Sequence, residues 1–289
     1  MNRSLISAAV SLRGLQQKID VIADNVAHVN TPGYKRKEAS FLDVLTTVRQ
    51  QPADFRKEGR LTPLGYPEAW GARLGLVQLV FTQGTLKETG NPLDLAIEGD
   101  AVFEVDVPMP DGAGNMTNET RWTRNGSLSL SINPEDPETL LLTTKDGYAL
   151  KGVDDEPVVI PAQHRISVSE DGTVMAYDDR NPEAPPVAVG QLKLLRVAHP
   201  QLLEPAGHNL YKLPDHLNLA GDEVLVPVDA ESANGGARVA VRQGYVEQSN
   251  VSLADEMAEL VQAQRAYQLN SRAIQSADAM MNLANNLRG

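Results

Sequence analysis

The sequence predicts an α+β chain: N- and C-terminal helices pairing as a coiled-coil stalk, with a central, mainly antiparallel β domain. Three observations predict it. Apolar residues near the start recur every three or four positions. From Ser252 onward a second helical period runs without Pro or Gly as far as Gly289. The stretch between alternates apolar with polar residues.

In the first helix Leu5, Ala8, Leu12, Leu15, Ile19, Ile22, Val26 and Val29 alternate spacings of three and four, the a/d pattern of a coiled-coil seam. Mostly polar residues such as Gln16, Lys18, Asp20 and Asp24 separate them, so the stripe is narrow and calls for one or two partner helices. The stop is chemical. Pro32 pushes Thr31 out of the α region, and Pro then Gly in "TPGY" suit the two central positions of a type II turn, so the helix is expected to end near Asn30. Asn25 and Asn30, beside that stop, are candidates to set register through side-chain hydrogen bonds, with ordinary C-terminal capping as the alternative for Asn30. "YKRK", from Tyr34 to Lys37, is either a contact with an acidic neighbour or a solvated turn.

Residues 37–81 hold Pro52, Pro63, Pro67 and several glycines with little period, and read as an extended connector. Over 82–242, "LDLAIEG", "VFEVDV", "SLSLSI", "RISVSEDGTVMAY" and "VAVGQLKLLRV" alternate as strands, with Asp146-Gly147 and Asp171-Gly172 at hairpin positions. In 243–289, Ser252 stands three residues before Asp255, a weaker form of the capping box, and acids fill the first turns. Leu253, Met257, Leu260, Tyr267, Ile274 and Met281 follow at helical spacing with Gln264, Ser271 and Asp278 on the same stripe. The expected helix is about 35 residues long, far above the globular mean of about 11 or 12. It is expected to pair with the helix of residues 1–36.

At 289 residues the chain can bury a real core. A net charge of -12 and a pI near 4.9 leave no overall basic field for nucleic acid or anionic lipid. Without cysteine there are no disulfides, thiolate metal sites or cysteine nucleophiles, a composition that suits passage between redox compartments. No apolar run approaches the roughly 18 to 20 residues of a membrane span. "MNRSLISAAVSLRGL" has the outline of a signal peptide, but Arg13 interrupts it and the period continues beyond. It is expected to be mature structure, with any export using no cleaved signal peptide.

Chemistry-bearing motifs are sparse. None of His28, His164, His199, His208 and His216 stands in a metal-ligand spacing such as HExxH. "DGAGN", from Asp111, lacks the regular acids and closing glutamate of a calcium loop and reads as a turn. There is no Walker A sequence, GxSxG elbow or dinucleotide glycine fingerprint. The expectation is therefore a chain with no catalytic residues, cofactor, metal, nucleic-acid partner or small-molecule substrate.

"DVIADNVAHVNTPGYKRKEASF" resembles the N-terminal signature of bacterial flagellar rod and hook proteins, and "GYVEQSNVSLADEMAELVQAQRAYQLNSRAIQSADAMM" resembles their C-terminal signature. Between them, "GTLKETGNPLDLAIEGDAVFEV", "RWTRNGSLSL" and "LEPAGHNLY" resemble the β domain of the rod branch. The resemblance implies a flagellar basal-body subunit, exported by the flagellar type III apparatus and polymerised into a tubular drive shaft that passes motor torque to the hook. The helices would form its inner tubes and the β domain its outside. The implied partners are copies of the chain and other rod and hook proteins. The segment from about Leu42 to Gly75 resembles one that packs against neighbours in distal-rod subunits.

Carried over by position, the resemblance assigns Leu12, Leu15, Ile19, Ile22 and Val26 to inner-tube packing, and Asn25, Asn30, Pro32, Gly33 and Tyr34 to the elbow. Asn250 and Val251 would open the C-terminal helix, while Met257, Tyr267, Asn270, Ile274 and Met281 would face partner helices. Asp24 and His28 depart from the family, which commonly has asparagine there. The alternatives are a hook-type axial subunit, expected to give curved rather than straight tubes, and a secreted β-domain binding module that its helices merely dimerise.

Overall fold

The computed structural model of the chain describes residues 2–43, 46–50, 65–69, 71–111, 115–134, 136–178, 180, 185–214, 224–228 and 239–287. The chain forms two compact units, each discontinuous in sequence. One comprises 1–27, 37–78 and 252–289; the other comprises 28–36 and 79–251.

In the first unit, helix α1 (Asn2–Ala27) packs along helix α2 (Leu253–Asn286). The two run antiparallel: Lys18 meets Glu259 at 3.0 Å, and Asn25, further along α1, meets Glu256, earlier in α2, at 3.2 Å. Ile22 is buried on the seam, and Leu12, Leu15, Ile19 and Val26 are half-buried. On α2 the covered face centres on Glu256, Ala263 and Ala277, with Leu260, Ile274 and Met281 of the expected stripe half-buried and Leu253, Met257 and Tyr267 exposed. Alanines let the α2 backbone come close to its partner. Among the described residues no helix is long and apolar enough to cross a membrane.

The expected connector contains paired strands. β1 (Lys37–Asp43) pairs with β4 (Ala72–Leu79), and β2 (Thr46–Gln50) pairs antiparallel with β3 (Gly65–Ala69). Pro67 sits within β3, in a two-stranded ribbon where a missing N–H is tolerated; Pro52 and Pro63 lie outside the described residues. Gly14 explains how the β1–β4 ribbon approaches α1. A Cβ there would lie 3.2 Å from the Phe41 ring and 3.3 Å from the Ala72 carbonyl oxygen. A glycine inside a helix costs about 1 kcal/mol relative to alanine, and here it makes room for the ribbon.

In the second unit the strands are, in order, β5 (Leu86–Glu88), β6 (Leu95–Glu98), β7 (Ala101–Asp111), β8 (Asn115–Thr123), β9 (Leu128–Ile132), β10 (Thr139–Thr144), β11 (Ala149–Leu150) and β12 (Val159–Pro161). Then follow β13 (His164–Val168), β14 (Thr173–Asp178), β15 (Val187–Gln191), β16 (Leu194–Val197), β17 (Glu204–Gly207), β18 (Leu210–Lys212), β19 (Leu225–Pro227), β20 (Ala240–Gln243) and β21 (Tyr245–Glu247). The main sheet runs β12-β10-β11-β7-β8-β18-β17, with β9 on β10, β16 on β7 and β19 on β16. The pairings are antiparallel, and Asp146-Gly147 and Asp171-Gly172 make the hairpin turns expected of them. Of "DGAGN", residues 112–114 lie outside the described residues; the flanking Asp111 and Asn115 pair across β7 and β8.

β7 organises the core through its period of two. Phe103, Val105 and Val107 enter the larger apolar cluster with Leu95, Leu142 and Ile160, whereas Val102 enters a second cluster with Phe81, Leu195 and Tyr211. Glu104 and Asp106, on the Val102 side, pair with Lys193 at 3.2 Å and Lys151 at 2.8 Å. Residues 28–36, the exit from α1, are grouped with this β unit and not with the helices.

Candidate assembly site

The elbow forms as its sequence requires. Tyr34 N–H donates to the Thr31 carbonyl at 3.3 Å and Gly33 has φ +70°, the hydrogen bond and left-handed third residue of a type II turn. Thr31 N–H donates to His28 at 3.1 Å, so the helical ladder gives way at Ala27, three residues before the expected Asn30. Asn30 is exposed and Pro32 half-buried. The His28 ring stacks on the buried Tyr34 ring, centroids 4.7 Å apart and 9° from parallel. An asparagine at position 28 would forgo that stack.

Behind the turn lies a buried ion cluster. Lys35 Nζ donates to Glu247 Oε1 at 2.7 Å and to the Thr82 carbonyl at 3.0 Å, while Arg124 Nε donates to Glu247 Oε2. Arg124 also donates to the carbonyls of Ala101 and, at 3.1 Å, Ile97. Glu247 Oε1 accepts from the Gly84 amide at 2.7 Å, and the Glu247 carbonyl accepts from the Gly33 amide at 2.8 Å. One carboxylate thus ties the elbow, the start of the β body and the strand before α2. The turn is held from its other side by Asn209 Nδ2, which donates to the Pro32 carbonyl at 2.8 Å, and by a hydrogen bond between Tyr211 and the Lys35 backbone.

Two asparagines read backbone, one in each unit. Within the helical unit, buried Asn25 Oδ1 accepts from Lys37 N–H at 2.9 Å and its Nδ2 donates to the Lys37 carbonyl at 2.8 Å. A primary amide carries both a donor and an acceptor, as these two contacts demand and a carboxylate cannot supply. Lys37 Nζ also pairs with Asp24 at 2.6 Å, so the other departure from the family pattern is an ion pair. Within the β unit, Asn250 Oδ1 accepts from Arg36 N–H at 2.7 Å and Nδ2 donates to Val80 and Thr82 carbonyls at 2.8 and 3.0 Å. Val251 is buried next to it.

On α2, Asn270, Ile274 and Met281 are half-buried, while Met257 and Tyr267 are exposed. Sequence reasoning missed Arg124, Glu247 and Asn209, and the burial of Lys35. Of the two readings of "YKRK", an acidic neighbour is right for Lys35, which is 1% exposed.

Burial, then the nearby Arg124 charge, bring the Lys35 ammonium down from 10.5 to about 8 against the pull of Glu247. Burial pushes the Glu247 carboxyl up, but the Arg124 and Lys35 charges and hydrogen bonds overcome it and hold it below the ordinary carboxylate range. In the unfolded chain Lys35 keeps its proton to about pH 10.5, so between about pH 8 and there the unfolded state binds more protons, and Lys35 adds stability as pH rises. Glu247 acts at the acid end: its contribution is complete above its unfolded pKa and lost as pH falls through the lower folded value. The melting temperature of the parent minus that of Lys35→Met is therefore expected to grow as pH is raised from about 8 to 10. A difference that stays flat across that range would refute the assignment.

Both polar clusters spend their donors and acceptors on backbone and on each other. Such an arrangement holds backbone in a fixed course, as a structural subunit requires. Comparison with known proteins supplies the family. Residues 9–35 match the family described as "Flagella basal body rod protein", 96–176 the "Flagellar hook protein FlgE/F/G D1 domain", and 242–287 the "Flagellar basal body rod FlgEFG protein C-terminal". The chain is 34% identical to flagellar basal-body rod protein FlgG of Borreliella burgdorferi, with 100% of this chain and 99% of the relative covered. It is 31% identical to FlgG of Caulobacter vibrioides, over 99% of each, and 31% identical to flagellar hook-basal body complex protein FlhP of Bacillus subtilis, over 100% of each. The chain belongs to the flagellar basal-body rod protein family.

Proposed function

We propose that the chain is a structural subunit of the distal flagellar rod, polymerising through its terminal helices into the tubular shaft that carries motor torque to the hook. The observation that carries this reading is the incompletely covered seam: α1 and α2 pair, yet Leu12, Leu15, Ile19 and Val26 remain only half-buried in one chain. Further copies of the chain supply the missing cover as a coiled-coil tube. Leu12, Leu15, Ile19, Ile22 and Val26 line that packing, and Asn25, Asn30, Pro32, Gly33 and Tyr34 set the elbow from which the chain leaves for the β body. Asn250 and Val251 set the return into α2, and Met257, Tyr267, Asn270, Ile274 and Met281 meet neighbouring helices. Other rod and hook proteins adjoin the ends of the polymer, and the flagellar type III apparatus delivers the subunit.

Leu15→Asp and Ile22→Asp test this. Each places a charge on the seam, at a cost of several kcal/mol to any packed helix tube. The β unit carries neither residue, so its melting transition should stay within about 2 °C of the parent while assembled rods and swimming are lost. Normal swimming by either variant would overturn the seam assignment.

A further inference from the structure

The β7–β8 hairpin outruns the sheet that holds it. Along β7, pairing with β16 covers residues 101–103 and pairing with β11 covers Val105 and Asp106. Along β8, β18 pairs only with Trp122 and Thr123. β7 and β8 nevertheless pair with each other as far as Asp111 and Asn115. Residues 107–111 and 115–121 therefore form an arm with no further strand beside it among the described residues. Pro108, Met109, Pro110, Met116, Thr117 and Asn118 are all exposed.

The two long edges of this arm differ chemically. In an antiparallel ribbon alternate residues turn their N–H and C=O groups outward. On β7 these are the even-numbered positions, as the Glu104 carbonyl accepting from the Lys151 amide shows. Pro108 and Pro110 continue that row, and with no N–H to offer they close the β7 edge to another strand. Register carries the same phase across to β8, where Pro108 faces Asn118 and Pro110 faces Met116. The outward residues there are Met116, Asn118 and Thr120, which present three N–H and three C=O groups over about 14 Å. The chain after β18 does not cover them: Leu213 packs into the second apolar cluster and Pro214 is buried.

Charge selects the occupant. The β unit carries 27 Asp and Glu against 14 Lys and Arg, a balance of -13, whereas the helical unit stands at +1. On the arm, the Glu119 side chain is 43% exposed and its partner Arg121 only 10%. A second copy would bring the same surplus of acid to the contact, and a cationic strand would neutralise it. We infer that the open edge of β8, from Met116 to Thr120, is a strand-addition site, and that its occupant is an extended segment of another protein, basic on the face it shares with Glu119 and apolar on the face it shares with Met116. Such a site exists in the single chain, whether or not copies polymerise.

The probe is a capped peptide of about eight residues, alternating lysine with valine, added to the dilute full-length chain. In the free chain the amides of Met116, Asn118 and Thr120 are expected to exchange with solvent about a hundredfold or more faster than that of Val105, which is buried inside the sheet. With the peptide, exchange at those three should slow tenfold or more. The same peptide N-methylated throughout, or with glutamate in place of lysine, should leave it unchanged. Asn118→Pro deletes an outward N–H and should weaken binding at least tenfold, while Asn118→Ala leaves the backbone intact and should bind as the parent does. No protection at millimolar peptide, or protection that the N-methylated or acidic peptide reproduces, would overturn the inference, and neither result needs the proline variant to fold. Slow exchange at the three amides in the dilute free chain would overturn it too, because the edge would already be covered. Protection that appears without peptide as the chain is concentrated would give the edge to a second copy instead.

Discussion

Glu247→Ala is expected to be among the most destabilising single substitutions in the β unit. The carboxylate faces two cations, Lys35 and Arg124, and both partners are essentially out of water. Removing it leaves two buried positive charges with no counter-charge, and the amide of Gly84 loses its acceptor. Breaking a buried pair costs about 3–5 kcal/mol. Set against a typical total of about 5–15 kcal/mol, that brings the unit near its threshold. The melting temperature should drop by roughly 10 °C or more. Glu247→Gln keeps an acceptor oxygen for Gly84 and should lose less. Adding Lys35→Met to Glu247→Gln removes one orphaned cation, so the double variant should be more stable than the sum of the single losses predicts, a coupling that a double-mutant cycle measures directly. A Glu247→Ala chain melting within about 2 °C of the parent would mean that the cluster is solvated and contributes nothing.

This cluster also marks where reading the sequence ran out. The end of α1 was legible because its causes are local: a seam of threes and fours, then Thr31-Pro32-Gly33-Tyr34 in a turn whose geometry those residues dictate. The hairpins at Asp146-Gly147 and Asp171-Gly172 were legible for the same reason. Lys35 pairs with a residue 212 positions away and Arg124 with the same residue across 123. Nothing near either cation announces burial, and a lysine in a run of basic residues ordinarily stays in water. The paired strands of the connector were hidden by prolines and glycines that break any period. On α2 the large residues mark a stripe of which Leu260, Ile274 and Met281 are half-buried, whereas the most covered apolar positions are Ala263 and Ala277, which their small size conceals. Asn25 stood out in the sequence beside the helix stop, but its partners, the Lys37 backbone and Glu256, could be known only from the fold.

Gly33→Ala should be nearly as damaging as the loss of Glu247, and a second glycine shows how to separate its causes. Gly33 and Gly90 have nearly the same positive φ, +70° and +69°. An alanine in that left-handed region costs roughly 1–2 kcal/mol at either site. The surroundings differ. A Cβ on Gly33 would lie 2.6 Å from the carbonyl carbon and oxygen of Arg124 and 2.7 Å from the Asn125 amide nitrogen, whereas on Gly90 it would meet nothing within 4 Å. Those neighbours are backbone and cannot rotate aside, and two of the three belong to Arg124, whose guanidinium holds Glu247. The overlap adds about 1–3 kcal/mol at Gly33 and nothing at Gly90. Gly90→Ala is therefore expected to melt a few degrees below the parent, and Gly33→Ala lower still by at least that much again. Equal losses would show that only the conformation of the turn matters. A larger loss at Gly33 means that the elbow is seated against the Arg124 backbone, so the course of residues 28–36 is set by packing within the β unit and not by the turn alone.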